Sequence, residues 1–168
     1  MTTSPAIKRL GNALRSITDN GDPGKVVALA REFGIEGRLA RRAAQNIEVN
    51  VSAYMRLCAA ACIDPVTGKI VHCEDIDRWA AATADVDPRR LAIKILTLLI
   101  HSDKSMRQLA KKWGVSTTAL ARAKVEAPVN VDNFLRICKG LKCQPHEFTK
   151  RTPEMSHVKQ PAAQVEQI

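Results

Sequence analysis

Three arginines, Arg38, Arg41 and Arg42, recur at i, i+3 and i+4, and three hydroxyls in a row, Ser116, Thr117 and Thr118, stand just ahead of Arg122 and Lys124. On helices, such sets place charge or hydrogen-bonding groups along one outward face. What they offer is non-covalent chemistry: cations and hydroxyls that meet an anionic partner. Covalent and metal chemistry finds no comparable set. The five cysteines, Cys58, Cys62, Cys73, Cys138 and Cys143, contain no Cys-x-x-Cys pair, and none has histidines at zinc spacing. His72-Cys73 is an isolated pair, and His101, His146 and His157 have no evident carboxylate or cysteine partner. No phosphate-binding glycine loop and no nucleophile with an obvious base is visible. The expectation is a protein that is not an enzyme, with no cofactor and no metal.

The charge agrees with an anionic partner. The net charge is +9 over 168 residues, so nucleic acid or an anionic membrane surface is a plausible partner class. Residues 1–64 hold 9 Lys/Arg against 6 Asp/Glu, residues 65–87 hold 2 against 5, and residues 88–150 hold 13 against 4. Binding by charge is therefore expected to centre on the second half. The first ten residues do not read as an export signal, because no apolar core follows their basic residues. The apolar run Ile95 to Ile100 is too short to span a bilayer. Reduced thiols, a cytoplasmic location (on the nucleoid when bound to DNA) and no membrane association are the expectations.

The elements that must position these groups emerge from an internal repeat. At an offset of 80, Leu29-Ala30 lies on Leu109-Ala110, Gly34 on Gly114, Arg42-Ala43 on Arg122-Ala123, and Val49-Asn50-Val51 on Val129-Asn130-Val131. Arg56 lies on Arg136, Cys58 on Cys138 and Pro65 on Pro145, and from Val27 to Pro65 no gap is needed. Upstream, Arg9-Leu10 meets Arg90-Leu91 at an offset of 81. We read this as a tandem duplication. In the second copy Pro88 opens a helix with Leu91, Ile95, Leu98 and Leu99 on one face. Ser105 caps the next, which holds Leu109, Ala110 and Trp113 and ends at Gly114. Ser116 caps a third with Leu120 and Ala123 inward. Asn130 caps a fourth, with Val131, Phe134, Leu135, Cys138 and Leu141 inward, and Pro145 opens a final turn. In the first copy the matching helices are expected at about Ile7–Thr18, Lys25–Phe33, Glu36–Gln45 and Asn50–Ala61. Ile76, Trp79, Ala80 and Thr83 at i, i+3, i+4 and i+7 predict a packed linker helix.

Ser105 to Leu141 resembles the Cro/C1-type (phage-repressor, Xre-like) helix-turn-helix family. The resemblance is carried by Leu109-Ala110, Gly114-Val115-Ser116, Leu120, Arg122 and the helix from Val131 to Leu141. It covers most of 88–150 and, by way of the repeat, 7–65 more weakly. It implies an all-α fold of two tandem lambda-repressor-like helix-turn-helix bundles joined by a short helical linker. The boundaries expected are 1–64 for a divergent first domain and 65–87 for the acidic linker. A second domain at 88–150 and a disordered tail at 151–168 complete them. In this family the second helix of the motif enters the major groove. The resemblance makes Thr117, Thr118, Ala121 and Arg122 the base-reading positions. Ser116, as capping hydroxyl, and Arg107, Lys124 and Asn130 are then phosphate contacts. Family members often have Gln where Met106 stands, a departure at a contact position. Lys111 and Lys112 lie toward the far end of their helix and read as a solvated face.

The first copy departs more. Glu36 replaces the capping serine, acceptable as a cap but repulsive to phosphate. Gly37 weakens its helix by about 1 kcal/mol relative to Ala. Lys25 stands where Ser105 stands, and with Arg38, Arg41 and Arg42 it forms a cationic set suited to phosphates. DNA contact by this copy, or drift into a dimerisation or docking module, are both open. Cys58 and Cys138 read as small core hydrophobes.

The leading expectation is a sequence-specific DNA-binding transcriptional regulator of bacterial or phage type, a repressor, with double-stranded DNA as partner and a homodimer as a further possibility. The second is a protein-interaction module, antiactivator-like or antitoxin-like, that binds a protein partner through the first copy.

Overall fold

The computed structural model describes residues 4–19, 22–72 and 81–151. Helices α1 (Pro5–Ile17), α2 (Pro23–Glu32), α3 (Gly37–Ala44) and α4 (Val51–Ala60) precede a short strand, β1 (Ala84–Val86). Helices α5 (Pro88–His101), α6 (Met106–Trp113), α7 (Thr117–Lys124) and α8 (Val131–Leu141) follow it. A 3₁₀ turn, Pro145–Phe148, then leads into strand β2 (Thr149–Arg151).

Local chemistry explains most of the boundaries. Ser4, Asp22 and Asp87 each accept a backbone N–H at the start of a helix whose first residue is proline, an arrangement that satisfies an orphan donor and presets φ. Ser105 and Gln108 form a reciprocal capping box on α6. Asn50 and Asn130 cap α4 and α8 through Ala53 and Asn133 at 2.7 and 2.9 Å. Helix α2 starts earlier than the register of the repeat suggests: Asp22-Pro23 opens it, so Lys25 lies within its first turn and not at a cap.

The expected all-α class needs one correction. Strands β1 and β2 pair antiparallel, Ala84 with Arg151, Asp85 with Lys150 and Val86 with Thr149. The Asp87 N–H, donating to the Phe148 carbonyl at 2.6 Å, extends the ladder. This small sheet clamps the chain entering α5 to the chain leaving the 3₁₀ turn. Part of the expected linker helix, Ile76, Trp79 and Ala80, lies outside the described residues, and Thr83 is in a turn. Residues 152–168 of the expected tail also lie outside them, whereas Arg151 ends β2.

Backbone features recur at a spacing of 80. Left-handed residues close matching turns: Gly34 and Gly114 at φ 63° and 68°, Asn46 and Glu126 at 59° and 62°, Cys62 and Lys142 at 52° and 57°. The N–H of Ile35 meets the Ala30 carbonyl as Val115 meets Ala110, and Ile47 meets Arg42 as Ala127 meets Arg122. Arg56 donates to the carbonyls of Phe33 and Gly34, and Arg136 donates to that of Gly114. One hydrophobic cluster runs through both helix sets, from Leu10, Leu14, Phe33 and Tyr54 to Leu120, Phe134 and Ile137. Phe134 and Phe148 meet edge to face, with centroids 6.2 Å apart. Cys58 and Cys138 are buried in this core, and burial pushes the Cys58 thiol up to about 12 and that of Cys138 well above its usual range. Both remain protonated at neutral pH and are poor nucleophiles.

Candidate nucleic-acid interface

Helices α6 and α7 are joined by Gly114-Val115-Ser116. Gly114 adopts the left-handed conformation that α6 needs to end and the chain needs to turn. Val115 is buried and anchors the turn. Ser116 Oγ then accepts the Ala119 N–H at 3.0 Å. Leu120 and Ala123 face the core, so the opposite side of α7 turns to solvent. Thr117, Thr118 and Arg122 are exposed there and Ala121 and Lys124 are half-buried. Arg107, near the start of α6, is exposed on its own helix.

The Arg122 side chain is partly committed. Its Nε donates to the Pro128 carbonyl at 2.9 Å, which ties the end of α7 to the loop before α8. Arg42 does the same in the first half, from Nε and an Nη atom to the Glu48 carbonyl at 3.3 and 2.8 Å. These arginines hold the loops that carry the capping asparagines. An open groove of about 320 Å³ runs between Ser116, Thr118 and Arg122 on one side and Pro128, Asn130 and Asn133 on the other.

The N-terminus of α3 is built differently. Glu36 makes no side-chain cap hydrogen bond, so the expectation of an acceptable cap is corrected: its longer side chain does not fold back onto the helix as Ser116 does. Gly37 has a packing reason, because a Cβ there would lie 2.9 Å from Val27 Cγ1 on α2. Helices α2 and α3 therefore approach closely where Arg107 and Thr117 stand exposed in the second half. Arg38 and Arg41 are exposed and Arg42 is half-buried. Lys25 is exposed and ion-paired with Asp19, also exposed, a pair worth little in water. A second groove, of about 590 Å³, lies between Glu36, Arg38 and Arg42 of the first half and Val129 and Asn130 of the second.

Sequence reasoning did not single out Glu48, Arg56 or Arg136. Glu48 edges the larger groove, and its carboxyl is raised above the usual range by partial burial and by the charge of Asp132, against a hydrogen bond from the Val131 N–H. Arg56 and Arg136 brace the two turns from behind; their identity at matched positions was the available signal. Among the described residues no group of His, Cys, Asp and Glu could hold a metal ion, and no helix is long and apolar enough to cross a membrane.

Residues 94–154 match the family described as Cro/C1-type HTH DNA-binding domain. The match begins within α5 and takes in α6, α7, α8 and both the 3₁₀ turn and β2; α1–α4 lie outside it. No curated protein and no solved structure matches the chain. One Cro/C1-type helix-turn-helix domain in a mostly helical chain supports a DNA-binding regulator in general terms.

Proposed function

We propose that the protein is a sequence-specific transcriptional regulator made of two tandem helix-turn-helix units. It reads the major groove with α7 and makes further contacts through α3. The observation that carries this reading is the exposed, hydroxyl-bearing start of α7, where Ser116 caps the helix and Thr117 and Thr118 are open to solvent, inside the region that matches the DNA-binding family. Thr117, Thr118 and Ala121 touch base edges. Arg107, Ser116, Lys124 and Asn130 hold phosphates, and Arg122 divides its donors between the Pro128 carbonyl and DNA. Arg38, Arg41, Arg42 and Lys25 add phosphate contacts from the first unit. The recurrence of turns, caps and arginine braces at a spacing of 80 supports the duplication. Repression by occupying DNA in the cytoplasm is the simplest action, since it needs nothing beyond binding.

The test is a selection from random duplex DNA at near-physiological salt, repeated with Thr117→Ala, Thr118→Ala and Arg122→Ala combined. A sequence motif that the triple variant no longer enriches is the expected result. An unchanged motif would sink the role given to α7. A protein-interaction module is the second reading, favoured by the uncapped, glycine-bearing start of α3 packed against Val27. Regulation that survives the triple variant would favour it.

A further inference from the structure

The two helix sets touch through reciprocal hydrogen bonds. The Ala6 N–H, in the first turn of α1, donates to Asp132 Oδ1 at 3.1 Å. The Val86 N–H, just before α5, donates to Ser52 Oγ at 3.0 Å. Ser52 and Asp132 are the second residues of α4 and α8, 80 positions apart. Ala6 and Val86 both lie at the entry to the first helix of their sets, Ala6 two residues after the cap Ser4 and Val86 one residue before the cap Asp87. The same patch of each set thus meets the same patch of the other. A head-to-tail arrangement would join unlike patches; like patches in reciprocal contact are the signature of a twofold axis. Helices α4 and α8 also touch each other.

We infer that the chain is an internal pseudo-dimer: a single molecule presents α3 and α7 to one face of one duplex and reads an inverted repeat with two unequal half-sites. The inference rests on the DNA-binding reading above. Helices α3 and α7 lead into α4 and α8 through matching loops, so an axis between the latter places the former on either side of it. The two grooves beside α3 and α7 share Val129 and Asn130 as a wall, which makes the surface between them continuous. The half-sites differ because the helix starts differ. Helix α7 offers Ser116, Thr117 and Thr118, whereas α3 offers Gly37 and Arg38 behind the carboxylate of Glu36. Hydroxyls tolerate several bases and touch the thymine methyl; a guanidinium favours guanine or phosphate.

The experiment uses the full chain and a pool of random 30-base-pair duplexes, with the enriched duplex then weighed in complex by sedimentation. The expected result is one chain per duplex and two dissimilar half-sites in inverted orientation, centres about one helical turn apart. Thr117→Ala with Thr118→Ala relaxes the preference in one half-site by about tenfold and leaves the other unchanged. Ser52→Ala with Asp132→Ala keeps both half-sites but widens the spacing accepted between them. A direct repeat, a lone half-site, or two chains on a perfect palindrome would overturn the pseudo-dimer while leaving DNA binding intact. An unchanged spacing preference in the double variant would also count against it. Absence of any enriched sequence would overturn the DNA-binding reading itself, and this inference with it.

Discussion

Helices α3 and α7 have the same length, eight residues each, and follow turns of the same backbone conformation, yet their exposed starts differ. In α7 a serine caps the helix and two threonines stand free of the neighbouring helix. In α3 the cap is a glutamate that does not close on the backbone, and a glycine lets Val27 press against the first turn. The buried faces share a pattern, with Ala40 and Ala43 in α3 and Leu120 and Ala123 in α7 all enclosed. Packing constrains the inner face of both helices, because a lost or added methylene in a close-packed core is costly. The outer face is held less tightly, by the loop contacts of Arg42 and Arg122 and, in α3, by the approach of Val27 to Gly37.

The sharpest way to break this comparison is at the back of the second set. A Cβ on Gly140 would overlap the Trp113 ring. Gly140→Ala is expected to cost about 3 kcal/mol, at the upper end for overpacking, measured by urea denaturation. Trp113→Phe in the same chain should recover most of the loss. At the positions 80 before Trp113 and Gly140 the first set has a smaller ring, Phe33, and Ala60, both buried. Ala60→Gly should cost about 1–2 kcal/mol, from lost helix preference and a lost buried methyl.

The two braces come next. Arg56 is mostly buried and donates to the carbonyls of Ala82, Phe33 and Gly34, with Asp85 at 4.0 Å. Arg136 is exposed and holds Gly114 alone among the described residues. Arg56→Ala should lose about 2 kcal/mol, as for hydrogen bonds from a charged donor. Arg136→Ala should lose under about 1 kcal/mol. Equal losses in thermal denaturation would mean that the turn after α2 is no more dependent on its brace than the turn after α6.

Salt separates the two helix starts as DNA contacts. Arg38→Ala with Arg41→Ala should weaken binding, flatten the slope of log affinity against log salt by up to about 2 and relax the preference in the α3 half-site alone. Thr117→Ala with Thr118→Ala should leave that slope unchanged and reduce the preference for the selected sequence. A salt slope untouched by the arginine pair would remove α3 from the interface.

The smallest expected effect is electrostatic. Burial and Asp132 raise the Glu48 carboxyl above its ordinary value of 4.5 in the folded protein. A raised folded value means that the folded state binds the proton more tightly. The contribution to stability is full below the ordinary value and is lost as pH rises through the folded one. Glu48→Gln should abolish this slope, so that the variant gains slightly on the parent between pH 4 and 7. A parallel pair of stability curves would show that Glu48 does not feel Asp132.

The helices were legible where their signals are local. Ser105, Ser116 and Asn130 each meet a backbone N–H three residues on, and Gly114 changes hand at a single residue, so all four boundaries could be read from neighbouring residues. Lys25 was placed by the register of the repeat, but Asp22-Pro23, a local signal, opens α2. The candidate site was legible as a set of exposed positions on α7, because Leu120 and Ala123 define its inner face by periodicity alone. The sequence could not reveal that Arg122 and Arg42 hold the following loops, nor that Gly37 is a close-packing residue.

Caps, periodicity and an 80-residue register by themselves indicated the approximate positions and order of the eight helices among the described residues, and the inward faces of the four in the second half. Tertiary structure decided the β1–β2 clamp, the approach of Glu48 to Asp132, and the bonds from Ala6 to Asp132 and from Val86 to Ser52. A cap joins residues three apart whose spacing the backbone already dictates. These contacts join residues 34 and 126 positions apart, and packing of the shared core is what brings them within hydrogen-bond reach.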